Sequence, residues 1–181
     1  VAATDAGGLN TAVNGVVGGS CSSGLCQVTG GTAAGSNLFH RFSSFDTRGA
    51  ISGVQILNGA FANVVVGVTA PLGSFIDKPV SLSTPGSLVW LSPGGLAVSG
   101  AGGFVNTTQL TLSTATNQLV GAGRFDVFGT TPQQAALLTA MPRTGAADLV
   151  LDPALRAMAG MAPDPEIVLQ GIHLTVDRSL L

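Results

Sequence analysis

Short apolar stretches recur along most of the chain, and turn-forming residues separate them. Each stretch is about five residues long, and several alternate apolar with small polar side chains, the period of two that a strand produces. Glycine, asparagine, serine or proline stands in nearly every gap, which is typical of short strands joined by tight turns. The pattern therefore predicts an all-β fold. Strands are expected at 53–57, 62–66, 80–83, 87–91, 96–98, 109–113 and 171–176.

Two segments, 131–138 and 152–160, begin like helices instead. Each opens with an N-cap residue that is followed by proline in the first helical position. The second segment also ends in a glycine, which is a common helix terminator. A short helix is favoured for 152–160 more than for 131–138, and both belong to a short helical or loop excursion from the sheets that spans residues 130–165. Residues 166–169 then return to strand-like sequence.

The polar positions of the predicted strands favour one all-β architecture. Strands of sandwiches and barrels usually present charged residues to solvent, whereas serine, threonine, asparagine and glutamine occupy those positions here. In a parallel β-helix each strand pairs with the coils above and below, so its faces can be neutral without inviting lateral pairing. Three strands with their turns take roughly 20 to 27 residues per coil, which leaves room for about six or seven coils beside an end cap.

The length of 181 residues fits one domain. Its predicted parts are an N-terminal cap with the first coils (1–50), further coils (51–129), the excursion (130–165) and a returning coil (166–181).

The composition narrows the range of functions. Charged residues make up 9% of the chain, against about 25% in an ordinary domain, and 26 of the 181 residues are glycine. Mean hydropathy is +0.49, yet the best apolar stretch, 59–73, is interrupted by Asn63, Gly67 and Pro71. A membrane-spanning helix needs about 20 consecutive apolar residues, so none is predicted. The net charge of −2, without any basic run, gives no basis for binding nucleic acid or anionic lipid.

The two cysteines, Cys21 and Cys26, have Ser-Ser-Gly-Leu between them. Zinc binding together with His40 and His173 is one interpretation, but the gap of four residues exceeds the common two and the histidines are isolated. A second is a pair of unlinked buried thiols. A disulfide that closes a turn is favoured, because Ser-Ser-Gly readily folds back between two strands, and it would imply an oxidising compartment.

The acidic residues do not form an obvious catalytic set. A polysaccharide lyase or hydrolase would need clustered carboxylates, either for calcium or as an acid and base pair. Only Asp164 and Glu166 lie two residues apart, and Pro165 between them suggests a loop. The sequence therefore indicates neither an enzyme nor a cofactor or metal.

Two motifs resemble those of one known family. Gly30-Gly31-Thr32 and the segment 35–46, GSNLFHRFSSFD, resemble the first signature of the filamentous haemagglutinin family, the N-terminal secretion domain of two-partner secretion exoproteins. The segment 88–98, LVWLSPGGLAV, is similar to its second signature, a strand that enters and leaves an N-P-N-G turn. Here Ser92 and Gly94 stand where that family usually has asparagine. The resemblance covers roughly residues 5–128.

The resemblance implies a right-handed parallel β-helix with an N-terminal cap. It also implies export through the periplasm to the medium or cell surface of a Gram-negative-type bacterium. The chain is expected to be a monomer that does not insert into the membrane and, as its charge indicates, does not bind nucleic acid. The implied partner is an outer-membrane β-barrel transporter of the TpsB type, which would recognise this region through its periplasmic POTRA domains. Residues implied in recognition or in the cap are Asn37, Leu38, Phe39, His40, Phe42 and Phe45. The implied turn consists of Ser92, Pro93, Gly94 and Gly95.

His40 is open to three interpretations. It packs and hydrogen bonds within the cap, or it contacts the transporter, or it acts as a catalytic base. No G-x-S-x-G motif is present to expose a serine nucleophile beside it, so the first is favoured. Trp90 is expected in the core. A surface adhesin that binds glycans is the alternative function, but one tryptophan and no tyrosine make a poor stacking platform.

Overall fold

The computed structural model describes residues 2–99, 101–120, 123–129, 168–169 and 173–175, and every regular element within these ranges is a β-strand. The helices predicted at 131–138 and 152–160, and the excursion at 130–165, lie outside the described residues. The strands are β1 (Thr4–Ala6), β2 (Thr11–Val13), β3 (Val16–Val17), β4 (Ser20–Cys21), β5 (Gly24–Gly30), β6 (Thr32–Ala34), β7 (Asn37–Asp46), β8 (Ile51–Ile56), β9 (Asn63–Val68), β10 (Ser74–Ile76), β11 (Pro79–Leu91), β12 (Leu96–Val98), β13 (Gly103–Ser113), β14 (Asn117–Val120), β15 (Gly123–Asp126), β16 (Val168–Leu169) and β17 (His173–Thr175).

The strands wind into a β-solenoid of about 4 turns, which confirms the prediction of an all-β parallel β-helix. Three parallel faces run along it. The first face consists of β7, β9, the second half of β11, the second half of β13, and β17. The second face consists of β5, β8, the first halves of β11 and β13, and β16. The third face consists of the end of β7, β10 and β12.

The faces stack in register, so equivalent positions of successive coils lie directly above one another. On the first face Leu38 pairs with Val64, Val64 with Leu88, and Leu88 with Leu110. These columns of apolar side chains fill the interior, where the main core cluster extends from Val13 to Leu112. Because each coil buries its apolar side chains against the next, stability in such a stack comes largely from contacts between neighbouring coils.

A second apolar layer lies outside the solenoid. The outward side chains of Phe39, Val65 and Val89 form a column on the first face and are all buried. The hairpin of β14 and β15 supplies the other side of this layer, including Phe125, whose ring centroid lies 5.2 Å from that of Phe39. The hairpin therefore adds a second, smaller core on the outer side of the first face.

The cap consists of short antiparallel strands along the front edge of the first coil. β2 pairs with β5, β6 pairs with the start of β7, and β1 pairs with its end. β3 and β4 are the strands added beyond β2 and β1, and each has only two residues. Short edge strands offer few free backbone groups to another chain, so this end of the sheet is poorly suited to adding a strand.

Over the residues that the structure describes, the solenoid has about 4 turns, fewer than the six or seven coils that the sequence suggested. Residues before β5 form cap strands rather than coils, and β14 and β15 form the outer hairpin rather than a third-face strand. Both segments have strand-like sequences, but neither of them contributes a parallel strand to the stack.

Candidate functional site

The residues of the first signature lie together on β7, in the first coil and directly beneath the cap. Their exposed fractions are 0 to 3%, so all six side chains are buried. Phe39 points outward into the layer that the hairpin covers, while Phe42 and Phe45 belong to the interior core. The buried set consists of Asn37, Leu38, Phe39, His40, Phe42 and Phe45.

Asn37 begins β7 and is part of a buried polar column. Its Oδ1 accepts a hydrogen bond of 2.9 Å from Nδ2 of Asn63, the residue in register on the coil below. Both asparagines are buried, so the bond satisfies polar groups that would otherwise be costly to remove from water. Asn37 therefore fixes the register between the first two coils.

His40 lies between the first coil and the cap strand β2. Its Nδ1 is 3.1 Å from Oγ1 of Thr11, and that hydroxyl oxygen also accepts a hydrogen bond from the backbone N–H of Arg41. Nε2 of His40 is buried and has no hydrogen-bond partner among the residues that the structure describes. Burial lowers the pKa of the imidazole to about 4, so the ring is neutral at neutral pH.

The hydroxyl and carboxyl groups near His40 in sequence do not form a catalytic set with it. Ser43 donates its hydroxyl to the carbonyl of Asp5, and Ser44 donates to that of Ala3. Asp46 forms a bidentate ion pair with Arg48, whose hydrogen bonds hold the pKa of this carboxyl below its usual value. The geometry therefore gives His40 a structural position between cap and coil.

We expect His40 to make the folded chain sensitive to mild acid. Its pKa is about 4 when folded and 6.5 in a model peptide, so the unfolded chain takes up a proton first as the pH falls. The contribution of the neutral ring to the free energy of unfolding is therefore fully present above pH 6.5. It decreases as the pH falls, by about 3 kcal/mol at pH 4. Urea unfolding at pH 7 and pH 4 measures this loss. The conservative variant His40→Gln should lack this part of the pH dependence, and an identical dependence in both proteins would contradict the assignment.

The predicted turn at 92–95 lies at the corner between the first and third faces. The backbone N–H of Gly95 donates to the carbonyl of Ser92 at 2.9 Å. Gly95 has a φ of 120°, and Gly94 is not among the residues with positive φ. Gly94 is instead required for space, because a Cβ there would lie 2.6 Å from the backbone nitrogen of Gly73 on the turn of the preceding coil. The two turns therefore stack backbone on backbone.

Ser92, which stands where the family usually has asparagine, is fully buried and ends a chain of hydrogen bonds. Nε1 of Trp90 donates to Oγ of Ser74 at 3.1 Å, and the two serine hydroxyls are 2.9 Å apart. Ser92 then donates to the carbonyl of Gly95 at 2.6 Å. Since the hydroxyl of Ser92 is used as a donor, Ser74 is the donor between the two serines. These hydrogen bonds give partners to the indole N–H and to both serine hydroxyls, and they link the indole to the turn.

One important residue was missed by sequence reasoning. Asn58 is buried at the corner between the second and first faces, and its Nδ2 donates to the carbonyls of Phe61 and Thr84. Its Oδ1 accepts from Thr84 N–H and from the Ser83 hydroxyl. This side chain thus bridges two successive coils. The Asn-Gly pair at 58–59 marks a turn in the sequence, but nothing local indicates the contacts with the next coil.

Cys21 and Cys26 form a disulfide, which confirms the favoured interpretation of their spacing. Cys21 belongs to the cap strand β4, which pairs with β1, while Cys26 lies on β5 of the first coil. The exposed fractions are 5% and 0%, so the bond is part of the core. It therefore ties the cap to the coil directly beneath it.

The outer side of the third face carries a shallow groove of about 280 Å³. The guanidinium of Arg48 lies 3.9 Å from the ring centroid of Phe75 there, and Leu72 is 78% exposed at its rim. Arg48 already pairs with Asp46, so the charges in the groove are mutually satisfied. Within the described ranges no three histidine, cysteine, aspartate or glutamate residues are grouped so that they could hold a metal ion.

The chain matches no protein-family model, no curated protein and no solved structure. Among the residues that the structure describes there is no helix with the length and hydropathy needed to cross a bilayer.

Proposed function

We propose that this chain is the secretion-targeting and folding-nucleating domain of a large exported exoprotein. A POTRA-bearing outer-membrane transporter recognises it in the periplasm, and the chain folds after it has crossed the outer membrane. The observation that supports this proposal best is the position of the first signature. Its six residues lie on β7, the first-face strand of the first coil, directly under the cap.

Burial of the signature determines when a partner can read it. A transporter that recognises Phe39, His40 or Phe42 directly must bind them before the solenoid forms, because their exposed fractions are 0% in the folded domain. The cap also supports binding before folding, because its outermost strands, β3 and β4, offer only two residues each to a partner. A partner that adds a strand to this segment therefore engages the extended chain, whose backbone groups are still free.

The fold also suits a chain that emerges from its N-terminus. The cap and first coil are completed largely by local segments, so they can form first, and each later coil can then pair with the one before it. The stack is almost uncharged on its second face, where β5, β8 and the paired parts of β11 and β13 contain no charged residue. Docking of a new coil therefore requires no desolvation of charge on that face.

Export of the intact chain tests the proposal. The chain, supplied with a signal peptide, is expressed beside its candidate transporter in a Gram-negative host, and the fractions in periplasm and medium are measured. We expect Phe39→Ala to reduce export at least about tenfold while the periplasmic pool persists, because a recognised aromatic side chain is removed.

The register supplies a matched control for this experiment. Val65 and Val89 lie in the same outward column as Phe39, on the next two coils, and pack into the same outer layer. The variant Val65→Ala/Val89→Ala destabilises that layer without altering the signature. If this control loses as much folding stability as Phe39→Ala, it should still be exported. Equal export loss in both variants would show that folding alone is affected, and would contradict recognition of the signature.

A further inference from the structure

We propose that Cys21 and Cys26 are a substrate site for thiol–disulfide exchange, oxidised by the disulfide of a partner thiol oxidoreductase while this part of the chain is still extended. The bond then fixes the cap when the solenoid folds. The order of these two events follows from where the sulfur atoms lie. That the oxidation takes place before export rests on the proposed function, whereas the order itself does not.

In the folded structure both cysteines are buried, so a thiolate has little access to their sulfur atoms. Cys26 has an exposed fraction of 0% and Cys21 of 5%, and both belong to the interior core cluster. Exchange requires a thiolate to approach a sulfur atom directly, through a mixed disulfide. A thiolate in this apolar interior would also be costly to form, because burial favours the neutral thiol. Both requirements are met only before the cap closes on the first coil.

The position of the bond explains why it matters for the cap. β4 is held otherwise by pairing with β1, through Thr4 with Cys21 and Asp5 with Ser20. Cys26 belongs to a longer strand that pairs with β8 of the next coil. The bond therefore connects a two-residue strand at the edge to the continuous sheet of the second face. Without it, only short antiparallel pairs retain the outermost part of the cap.

The small size of the closed loop makes early oxidation compatible with export. The two cysteines are only five positions apart, so the bond encloses four residues and leaves the rest of the chain free to extend. Five Cα steps would span roughly 17 Å in an extended chain, and the bond holds these Cα atoms 5.9 Å apart. The oxidised chain is thus shortened only locally and carries no long covalent loop through the transporter.

The exchange is balanced in atoms and electrons. The thiolate of one cysteine attacks a sulfur of the oxidant disulfide, forming a mixed disulfide and releasing one oxidant thiolate, which takes up a proton. The second cysteine, as its thiolate, then attacks the sulfur of the first and displaces the other oxidant thiolate. The chain loses two electrons and two protons overall, and the oxidant is reduced to a dithiol.

The test measures oxidation of the full chain against its state of folding. Reduced chain is diluted from urea into buffer, oxidised glutathione is added before dilution or at increasing times after it, and the disulfide fraction is read by alkylation and mass spectrometry. We expect the oxidation rate to fall at least about tenfold once folding is complete. The folded oxidised chain should resist dithiothreitol by a similar factor until urea is added. Folded and unfolded chains that oxidise at the same rate would overturn the proposal.

Two further outcomes are decisive. If the reduced chain does not acquire its native circular dichroism, the bond is required before folding, and the proposal holds in a stronger form. The variant Cys21→Ser/Cys26→Ser should fold with a cap that proteases cleave faster, at residues before β5, than they cleave the wild-type cap. These measurements use no transporter, so they can succeed where the export experiment fails. Oxidation before export, the part that rests on the proposed function, is tested separately. Export of the wild-type chain from a host that lacks a periplasmic thiol oxidase is compared with export of the Cys21→Ser/Cys26→Ser variant.

Discussion

Replacing Gly73 with alanine is expected to unfold the solenoid or to lower its free energy of unfolding by at least about 4 kcal/mol. Gly73 has a φ of 78°, which costs an L-residue about 1 to 2 kcal/mol. The added Cβ would also overlap the carbonyl oxygen of Gly95 and would lie 2.6 Å from the carbonyl carbon of that residue. These are backbone atoms of the stacked turn, so relief requires separating two coils. Urea denaturation followed by circular dichroism measures the loss.

Gly15 provides the matched control for this substitution. Its φ of 83° is nearly the same, but a Cβ added there meets no heavy atom within 4 Å. Gly15→Ala should therefore cost only the backbone term, about 1 to 2 kcal/mol. Similar losses in the two variants would show that the turns do not stack as closely as described.

Trp90→Ala is expected to cost about 3 to 5 kcal/mol, the range for removing a buried aromatic side chain. The indole is completely buried, with the ring centroids of Phe45 and Phe104 at 4.6 Å and 6.0 Å. The substitution also removes the N–H that donates to Ser74. Because Trp90 is the chain's one tryptophan, unfolding of this variant is followed by circular dichroism rather than by fluorescence.

Two comparisons separate packing from hydrogen bonding at this site. Trp90→Phe keeps most of the buried ring but leaves the hydroxyl of Ser74 without its donor, so a loss of about 1 to 2 kcal/mol is expected. Leu72→Ala removes a side chain that is 78% exposed on a nearby turn, and should change stability by less than about 0.5 kcal/mol. A loss below about 1 kcal/mol for Trp90→Ala would contradict the central position of the indole.

The features that could be predicted from the sequence are the ones encoded locally. Alternation with a period of two identifies strands, and the expected segments 53–57, 62–66 and 96–98 correspond to β8, β9 and β12. Neutral outward positions indicated stacked coils rather than a sandwich, and Ser-Ser-Gly between cysteines indicated a disulfide across a turn. Each of these signals depends on residues within about ten positions of one another.

The features that were missed depend on residues far apart in the chain. Thr11 meets His40 across 29 positions, and Asn58 meets Thr84 across 26. No local pattern specifies such partners, because they follow from the length of each coil. The outer layer did leave one signal in the sequence, the apolar run 64–68 of β9, and all six positions of this strand are buried in the structure. A continuous apolar run of this kind is typical of a strand that is covered on both sides.

The hairpin on the outside of the first face determines how soon the front of the molecule can be finished. Arg41, on the first coil, donates from Nη2 to the carbonyl of Asp126, which follows it by 85 positions. Phe39, on the same strand, stacks against Phe125, which is about equally far along the chain. On the proposed export route, in which the N-terminus emerges first, the interior of the first coils can form early, whereas the outer layer is completed only after Phe125 and Asp126 have emerged. We therefore expect the hairpin of β14 and β15 to complete the outer layer late, after the first coils have already buried their interior side chains.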